Sequence, residues 1–454
     1  MTTTTMKDSF DRFGDDLCQL LLQYLPIDDR LRLESVSKQW LALIFNTQTH
    51  LVFDLKLLKT LSLITKRHYY RIIKWFEVIV SKCPNITAVI ISDCTSYRSS
   101  LPVAVNRINR FIDLLIKNCH RLRHFTIKFD YDCLWSVIDS MFERFFRQFG
   151  RQLLTFKFEG YNREYNKQLI NKVVDSMPNL KTLEIKNNNN FDEYEITLQL
   201  NDIFIGNNNM YYSLPKSLQS LNISLNESSM PLFAKFAKIF GKQLTSLTIM
   251  FYEYYYNYDY PNWEKCDLKP LLAGFQQMPR LKQFKFYLII EFDTNFMVDL
   301  FSTIGRNCRQ LKSLYYESYK STTVTIYRMF TAINKHMSKQ LRRLSLKFLN
   351  PYNEEEEEIN LVMTSDLFNQ LKGLIHLELE LYNWLLIGDP FFHDIHLNLP
   401  RLQSIHCNGV SITDESIQSI GQLAHLMDVY LRCNQNKQTS ESFISKHLLI
   451  GTKI

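Results

Sequence analysis

One spacing of apolar residues recurs along most of the chain. An apolar anchor is followed by further apolar residues three and five positions later, and the anchors lie 24 to 38 residues apart. The alternation over offsets three to five predicts a short β-strand with one buried face in each copy. Twelve copies fit, with anchors at Ile86, Leu122, Leu153, Leu180, Leu218, Leu244, Leu281, Leu311, Leu341, Leu374, Leu402 and Leu426.

An amphipathic helical pattern precedes most of these anchors, for example in residues 106–118, 136–149, 295–306 and 325–335. Because each connection between successive strands passes through a helix, the strands are expected to run parallel. Repetition of one such unit stacks into a solenoid and does not close a sheet around a centre. The chain is therefore predicted to be an α/β solenoid.

The repeated unit resembles the leucine-rich repeat, L-x-x-L-x-L-x-x-N/C. The last position of that signature is matched in four copies, by Cys94, Asn188, Asn226 and Asn434. The long, helix-containing units are similar to the ribonuclease-inhibitor and cysteine-containing branches of the family, and Cys83, Cys119 and Cys308 each stand three positions before an anchor. This resemblance implies a horseshoe with parallel strands on its concave side and helices on its convex side.

The first fifty residues follow a different pattern. Leu17, Leu21 and Leu25 recur at helical spacing and predict a helix over about 15–24, whose apolar face Leu20 and Tyr24 widen. Pro26 ends this helix and suits the first turn of a second one. The second carries Leu31 and Leu33, and a third, after Ser37, carries Trp40, Leu41 and Ile44.

Three such short helices are too small to bury all of their leucines among themselves. Each fully buried leucine contributes roughly 1.5–3 kcal/mol, so leaving several in water forfeits much stability. A partner surface, or the solenoid itself, is expected to cover them.

The same segment resembles an F-box. Its departures from the family pattern are Phe13-Gly14 in place of Leu-Pro, and Cys18 and Arg30 where leucine is usual. The matching residues are Asp16, Leu17, Leu21, Leu22, Leu25, Asp29, Val36, Ser37, Lys38 and Trp40. The resemblance implies that the segment binds the Skp adaptor of a cullin–RING ubiquitin ligase while the repeats hold a protein substrate. The implied adaptor-binding residues are Phe13, Gly14, Leu17, Leu21, Leu22, Leu25, Pro26, Leu31, Val36 and Trp40.

These patterns divide the chain into four parts. Residues 1–7 are predicted to be disordered, 8–52 to form the F-box, 53–82 to form a helical connector, and 83–454 to form about twelve irregular repeats.

Composition narrows the class of protein. A hydrophobic content of 46% with 22% charged residues is globular, and a net charge of +7 indicates little about partners. No apolar run is long enough for a membrane span, and the start of the chain lacks the apolar core of a signal peptide. Nine cysteines without a C-x-x-C pair favour a reduced compartment, the cytoplasm or nucleus.

No sequence signature of catalysis is present. The chain has no G-x-S-x-G, H-E-x-x-H, Walker or dinucleotide-binding motif, and its 11 histidines are scattered. We therefore expect no intrinsic activity, no cofactor and no metal.

The solvent-facing strand positions suggest where a substrate binds. Cations and anions occur there in similar numbers, which disfavours nucleic acid as a partner. The tyrosine-rich stretch 250–263 supplies one group of candidates, although it is equally compatible with a strand extension packed on neighbouring repeats. The acidic run in 350–360 is interpreted as a solvated loop or as a contact for a basic partner. The substrate-binding candidates are Tyr254, Tyr256, Tyr258, Trp263, Lys285, Tyr287, Tyr315 and Arg343.

Two functional hypotheses follow. In the first, the chain is a non-catalytic substrate receptor of a ubiquitin ligase. In the second, it is a leucine-rich-repeat interaction scaffold without a ligase role, whose N-terminal helices only cap the array. A secreted recognition receptor would need a signal peptide and paired cysteines, which the sequence does not indicate.

Overall fold

Each predicted repeat contains the strand expected of it. In this computed structural model, the residues at offsets three and five of all twelve copies lie on β-strands. The structure describes residues 14–25, 29–30, 33, 38–54, 57, 70–92, 101–128, 135–160, 176–188, 195–197, 215–225, 230–251, 267–288, 293–319, 321–349, 361–381 and 385–433. The chain separates into a first unit, Met1–Leu198 with Ile205–Leu218, and a second unit, Gln199–Phe204 with Gln219–Ile454.

The first unit contains the N-terminal helices and the early repeats. Its strands β1 to β5 pair in parallel in chain order, and β6 pairs antiparallel with β5. Its helices are α1 (Asp15–Gln23), α2 (Lys38–Asn46), α3 (Tyr70–Lys82), α4 (Leu101–Asn118) and α5 (Trp135–Phe149). Its strands are β1 (His50–Phe53), β2 (Ala88–Ile91), β3 (His124–Lys128), β4 (Thr155–Gly160), β5 (Thr182–Asn188) and β6 (Glu195–Thr197).

The second unit repeats the same construction. Strands β7, β8, β9, β10, β11, β13, β15 and β16 pair in parallel in that order, and β12 pairs with β14 separately. The strands are β7 (Ser220–Leu225), β8 (Ser246–Phe251), β9 (Gln283–Leu288), β10 (Ser313–Ser318), β11 (Arg343–Phe348), β12 (Leu361–Val362), β13 (His376–Leu381), β14 (Leu385–Leu386), β15 (Ser404–Val410) and β16 (Asp428–Cys433). The helices are α6 (Met230–Phe240), α7 (Lys269–Phe275), α8 (Thr294–Asn307), α9 (Thr323–Met337), α10 (Asp389–Phe392), α11 (Ile395–Asn398) and α12 (Asp414–Gly421), with a 3₁₀ helix at Ser365–Phe368.

The register of the strands explains the sequence repeat. Residues at one offset pair across neighbouring strands, as Phe284, Leu314, Leu344 and Leu377 do. These four side chains are almost fully buried, and the ring of Phe275 at the end of α7 packs against that of Phe284, with 4.9 Å between the ring centres. The predicted α/β solenoid of leucine-rich-repeat type is thereby confirmed.

The cysteines three positions before an anchor are structural. Cys83, Cys119 and Cys308 are buried free thiols. Burial raises the pKa of each to about 12, so none is a reactive thiolate at neutral pH. Among the described residues, no group of histidine, cysteine and acidic side chains is arranged to hold a metal ion.

The parallel sheet of the first unit begins before the first predicted repeat. β1 pairs with β2 in the usual register, with Leu51 opposite Val89 and Phe53 opposite Ile91. The anchor position of this additional copy is occupied by Gln48, which is why the apolar pattern does not reveal it. Helix α3 therefore connects two paired strands, as a repeat helix does, whereas the sequence predicts a connector there.

The close approach of α8 and α9 leads to a testable prediction. A Cβ atom on Gly305 would lie 2.5 Å from the Cβ of His336 and 2.8 Å from its backbone oxygen. Gly305→Ala is expected to lower the free energy of unfolding by about 2 kcal/mol through overpacking, seen as a lower urea midpoint. Gly421→Ala is the control, because no atom lies within 4 Å of its Cβ position. Equal midpoints for the two variants would contradict the prediction.

Candidate functional site

One side of the first helix, α1, is buried within the protein. α1 begins after Gly14, whose carbonyl accepts hydrogen bonds from the amides of Leu17 and Cys18 at 3.1 and 3.2 Å. Asp15 and Asp16 lie in its first turn, where negative charge favours the helix. The side chains of Cys18 and Leu22, one turn apart, are fully buried, and the helix packs against α2.

The other side of α1 presents large apolar groups to solvent. The exposed fractions are 43% for Leu17, 49% for Leu20, 40% for Leu21 and 79% for Tyr24. We call these four residues the α1 face. Exposed apolar residues are ordinary when scattered, but adjoining large ones mark surfaces that bind other proteins. Leu41 on α2 is also exposed, at 39%. The α1 face is the candidate functional site.

The predicted adaptor-binding residues fall into three groups. Gly14, Leu17 and Leu21 are exposed on or beside α1, and Leu25 is half-buried. Leu22 differs from these, since its side chain has no exposed area and lies on the same side of the helix as Cys18. Outside the described residues lie Phe13, Pro26, Leu31 and Val36, and the Trp40 side chain.

A buried polar contact joins these helices to the start of the sheet. Arg30 is 8% exposed, and its Nη1 donates to Oε1 of Gln48 at 2.9 Å. Its Nε donates to the Leu25 carbonyl at 2.8 Å, and Nε2 of Gln48 donates to the His50 carbonyl. Burial lowers the pKa of Arg30 from its ordinary value. Two departures from the sequence patterns therefore compensate each other. Arg30 stands where an F-box has leucine, Gln48 stands where a repeat has its apolar anchor, and their side chains form a hydrogen bond.

The solvent-facing side of the second unit forms a polar ladder. One row across the strands contains Lys285, Tyr315, Ser345, Glu378 and His406, each opposite the next. The rings of Tyr287 and Tyr315 lie 5.0 Å apart. The Nζ of Lys285 lies 5.7 Å from the Tyr315 ring.

Four of the predicted substrate-binding residues belong to this side of the sheet. Lys285 and Arg343 are exposed, and Tyr287 and Tyr315 are half-buried. The pKa of Tyr315 is raised, chiefly by burial and secondly by a hydrogen bond to Glu317. Its hydroxyl is therefore protonated at neutral pH and donates to the Glu317 carboxylate. The other four candidates, Tyr254, Tyr256, Tyr258 and Trp263, lie outside the described residues.

The charges of the ladder compensate one another. Lys347 lies 2.9 Å from Glu380 and 3.5 Å from Glu378. Partial burial acts to lower the pKa of Lys347, but the hydrogen bond and charge of Glu380 outweigh it, and the pKa is raised. Partial burial likewise opposes ionisation of Glu378, yet the 2.6 Å hydrogen bond from Ser345 and the charge of Lys347 lower its pKa.

The lowered pKa of Glu378 predicts a pH dependence. A carboxylate whose folded-state pKa lies below its unfolded value of about 4.5 contributes stability above that pH and loses it as the pH falls through the folded pKa. Glu378→Gln is therefore expected to lower the melting temperature at pH 7, by an amount that shrinks in acid below about pH 4.5. Asp299→Asn, at an exposed position on α8, is the control. A difference between Glu378→Gln and the native chain that persists undiminished at pH 3 would exclude this contribution.

One cluster on the last strands resembles a hydrolase triad in composition only. The Nε2 of His406 lies 2.6 Å from Asp428, and the Ser404 hydroxyl lies 3.3 Å from the same nitrogen. A Ser–His–Asp triad needs the carboxylate on one ring nitrogen and the hydroxyl on the other. This geometry cannot orient His406 as a general base for Ser404.

Comparison with known proteins gives likenesses of fold alone. No family model matches the chain, and no curated protein matches it. The crystal structure of human 5T4 (Wnt-activated inhibitory factor 1, trophoblast glycoprotein) is similar at 18% identity, covering 49% of this chain and 71% of that one, with a TM-score of 0.30. The crystal structure of the Rad7 and Elc1 complex in yeast is similar at 13% identity, covering 91% and 92%, with a TM-score of 0.41. The fold assignment rests on the strand registers given above.

Proposed function

We propose that this chain is a non-catalytic substrate receptor of a cullin–RING ubiquitin ligase, acting in the cytoplasm or nucleus. Its N-terminal helices would bind a Skp-type adaptor, and its repeats would hold a protein target. The contribution to catalysis is positional, because holding the target beside the charged enzyme raises their effective concentration.

The α1 face is the observation that carries this proposal. Its four apolar side chains are 40–79% exposed on a helix whose other side is already sealed. Fully burying an exposed leucine side chain contributes roughly 1.5–3 kcal/mol, and a partner groove that closes over Leu17, Leu20 and Leu21, which are 40–49% exposed, gains part of that value from each. The segment that carries the face is also the one that resembles an F-box.

The direct experiment uses the full-length chain and a purified Skp-type adaptor. We expect a complex in size-exclusion chromatography and, on binding, protection of the α1 amides from hydrogen exchange. Amides of α9, far along the chain, serve as the internal reference. A chain that elutes alone and shows unchanged exchange in α1 would refute the adaptor role.

The second candidate function is an interaction scaffold without a ligase role. The hydrogen bond between Arg30 and Gln48 favours the scaffold function. This bond attaches the N-terminal helices to the first strand, as expected of a domain that caps the repeats. A cap, however, gains nothing from leaving Leu17, Leu20 and Leu21 in solvent. Proximity labelling in cells separates the two functions: a scaffold would label no adaptor or cullin, with or without an intact α1 face.

A further inference from the structure

The turns that lead into β9, β10 and β11 form a strip of uncompensated positive charge. We call this strip the basic rim and define it by Arg280, Lys282, Arg309, Lys312, Lys339 and Arg342. Five of the six side chains are exposed, and Arg342 is half-buried. The three turns, residues 276–282, 308–312 and 338–342, contain no acidic residue. No carboxylate in the described part of the chain forms an ion pair with any of the six.

Backbone hydrogen bonds bring three of these cations side by side. The amide of Lys312 donates to the carbonyl of Lys282 at 2.8 Å, and the amide of Arg342 donates to the carbonyl of Lys312 at 2.9 Å. Like charges at neighbouring positions of adjacent strands repel one another. A few residues further along the sheet, opposite charges are paired instead. Lys347 on β11 forms ion pairs with Glu378 and Glu380 on β13.

The helix dipole does not account for this strip. Cations at the carboxyl ends of helices are favoured, and Arg306 in the last turn of α8 has that position. Lys282, Lys312 and Arg342 come after the helices, immediately before the first residues of β9, β10 and β11. Their charges therefore add repulsion that an external anion would relieve.

We propose that the basic rim binds an acidic segment of a protein partner in an extended conformation. Adjacent strands lie about 4.8 Å apart, and an extended chain advances about 3.4 Å per residue. Three adjacent turns span about 9.6 Å from the first to the third, and so their cations match a run of roughly three to four acidic residues. Of the first outward positions next to the rim, Gln283 and Ser313 are neutral and Arg343 adds a further cation.

The surroundings of the rim favour a polypeptide over nucleic acid. The three turns contain no phenylalanine, tyrosine or tryptophan, so the rim itself has no ring for bases to stack on. Beyond the rim, the outward positions of the same strands and of β13 present the carboxylates of Glu317, Glu378 and Glu380. A bulky phosphate backbone lying across the sheet would meet these carboxylates, whereas a single extended peptide follows the rim without covering them.

The test measures binding of a labelled ten-residue peptide with six glutamates to the full-length chain by fluorescence anisotropy. We expect binding that weakens as salt rises, and no binding of the peptide with glutamine in place of glutamate. Lys282→Glu with Lys312→Glu is expected to reduce the affinity at least tenfold. The matched control is Lys235→Glu with Arg328→Glu, two exposed helix cations whose replacement changes the net charge equally and should alter affinity less than twofold. Circular dichroism checks that both variants fold.

Three results would overturn the inference. They are no binding of the glutamate peptide, equal weakening by the rim and control variants, and tighter binding of an oligonucleotide duplex with the same number of charges. The inference deepens the proposed function by naming the chemistry of the protein partner. The measurement contains no adaptor, and a chain with an altered α1 face should bind the peptide normally, so failure here and failure of the adaptor role are separate results.

Discussion

Replacing Leu17 and Leu21 by aspartate in the full-length chain is expected to weaken adaptor binding by more than about 100-fold, because each change removes apolar contact and places an unpaired carboxylate in the interface, and each 1.4 kcal/mol is a factor of ten. The fold should be kept, since both side chains are at least 40% exposed in the chain alone. Titration calorimetry against the purified adaptor gives the change in affinity, and thermal unfolding checks the fold.

The matched control replaces two exposed apolar residues on another helix. Val324 and Tyr327 are 60% and 55% exposed on α9. Val324→Asp with Tyr327→Asp introduces the same two charges into the same kind of surface, and adaptor affinity should stay within about twofold. If both pairs weaken binding alike, the loss reflects added negative charge, and the α1 face is not the docking surface.

The repeat itself could be predicted from the sequence because its physical cause is local. Strand residues alternate between core and solvent, and the core positions of each copy, such as Phe284 and Phe286, must be apolar to pack beneath a helix. Parallel pairing then follows from the helical connections. No contact between residues distant in the sequence has to be known to make this prediction.

The strand β1 could not be predicted in the same way. Its core residues Leu51 and Phe53 have the usual spacing, but the anchor before them is Gln48. A polar residue is acceptable there only because Arg30, 18 positions earlier, supplies a buried hydrogen-bond donor. Since the compensation comes from another element, a search for apolar anchors passes over this copy.

The candidate site could be predicted only in part. Helical spacing places Leu17 and Leu21 on one side of α1, and both are exposed. The same spacing does not show which side of the helix the chain itself buries, and the structure places Leu22 on that side. The basic rim does not follow from the strand pattern, because its residues lie in the turns before the strands and not at the positions that alternate between core and solvent.

The contact between Arg30 and Gln48 predicts an asymmetry between single and double substitution. Gln48→Ala removes the side-chain acceptor of the buried guanidinium, which keeps its hydrogen bond to the Leu25 carbonyl, and removes the side-chain donor to the His50 carbonyl, so the free energy of unfolding should fall by about 3 kcal/mol. Replacing both residues by leucine removes the charge together with its partner and restores an apolar anchor. That double variant should therefore lie within about 1 kcal/mol of the native chain.

Hydrogen exchange at the β1 amides measures this effect where it arises, because a solenoid can open at one end while its remaining repeats stay folded. Gln48→Ala should speed exchange of His50–Phe53, whereas the amides of β10 should be unaffected. The double leucine variant should restore slow exchange in β1. If the double variant exchanges as fast as Gln48→Ala, or if Gln48→Ala exchanges as slowly as the native chain, the buried polar pair does not hold the N-terminal helices on the sheet.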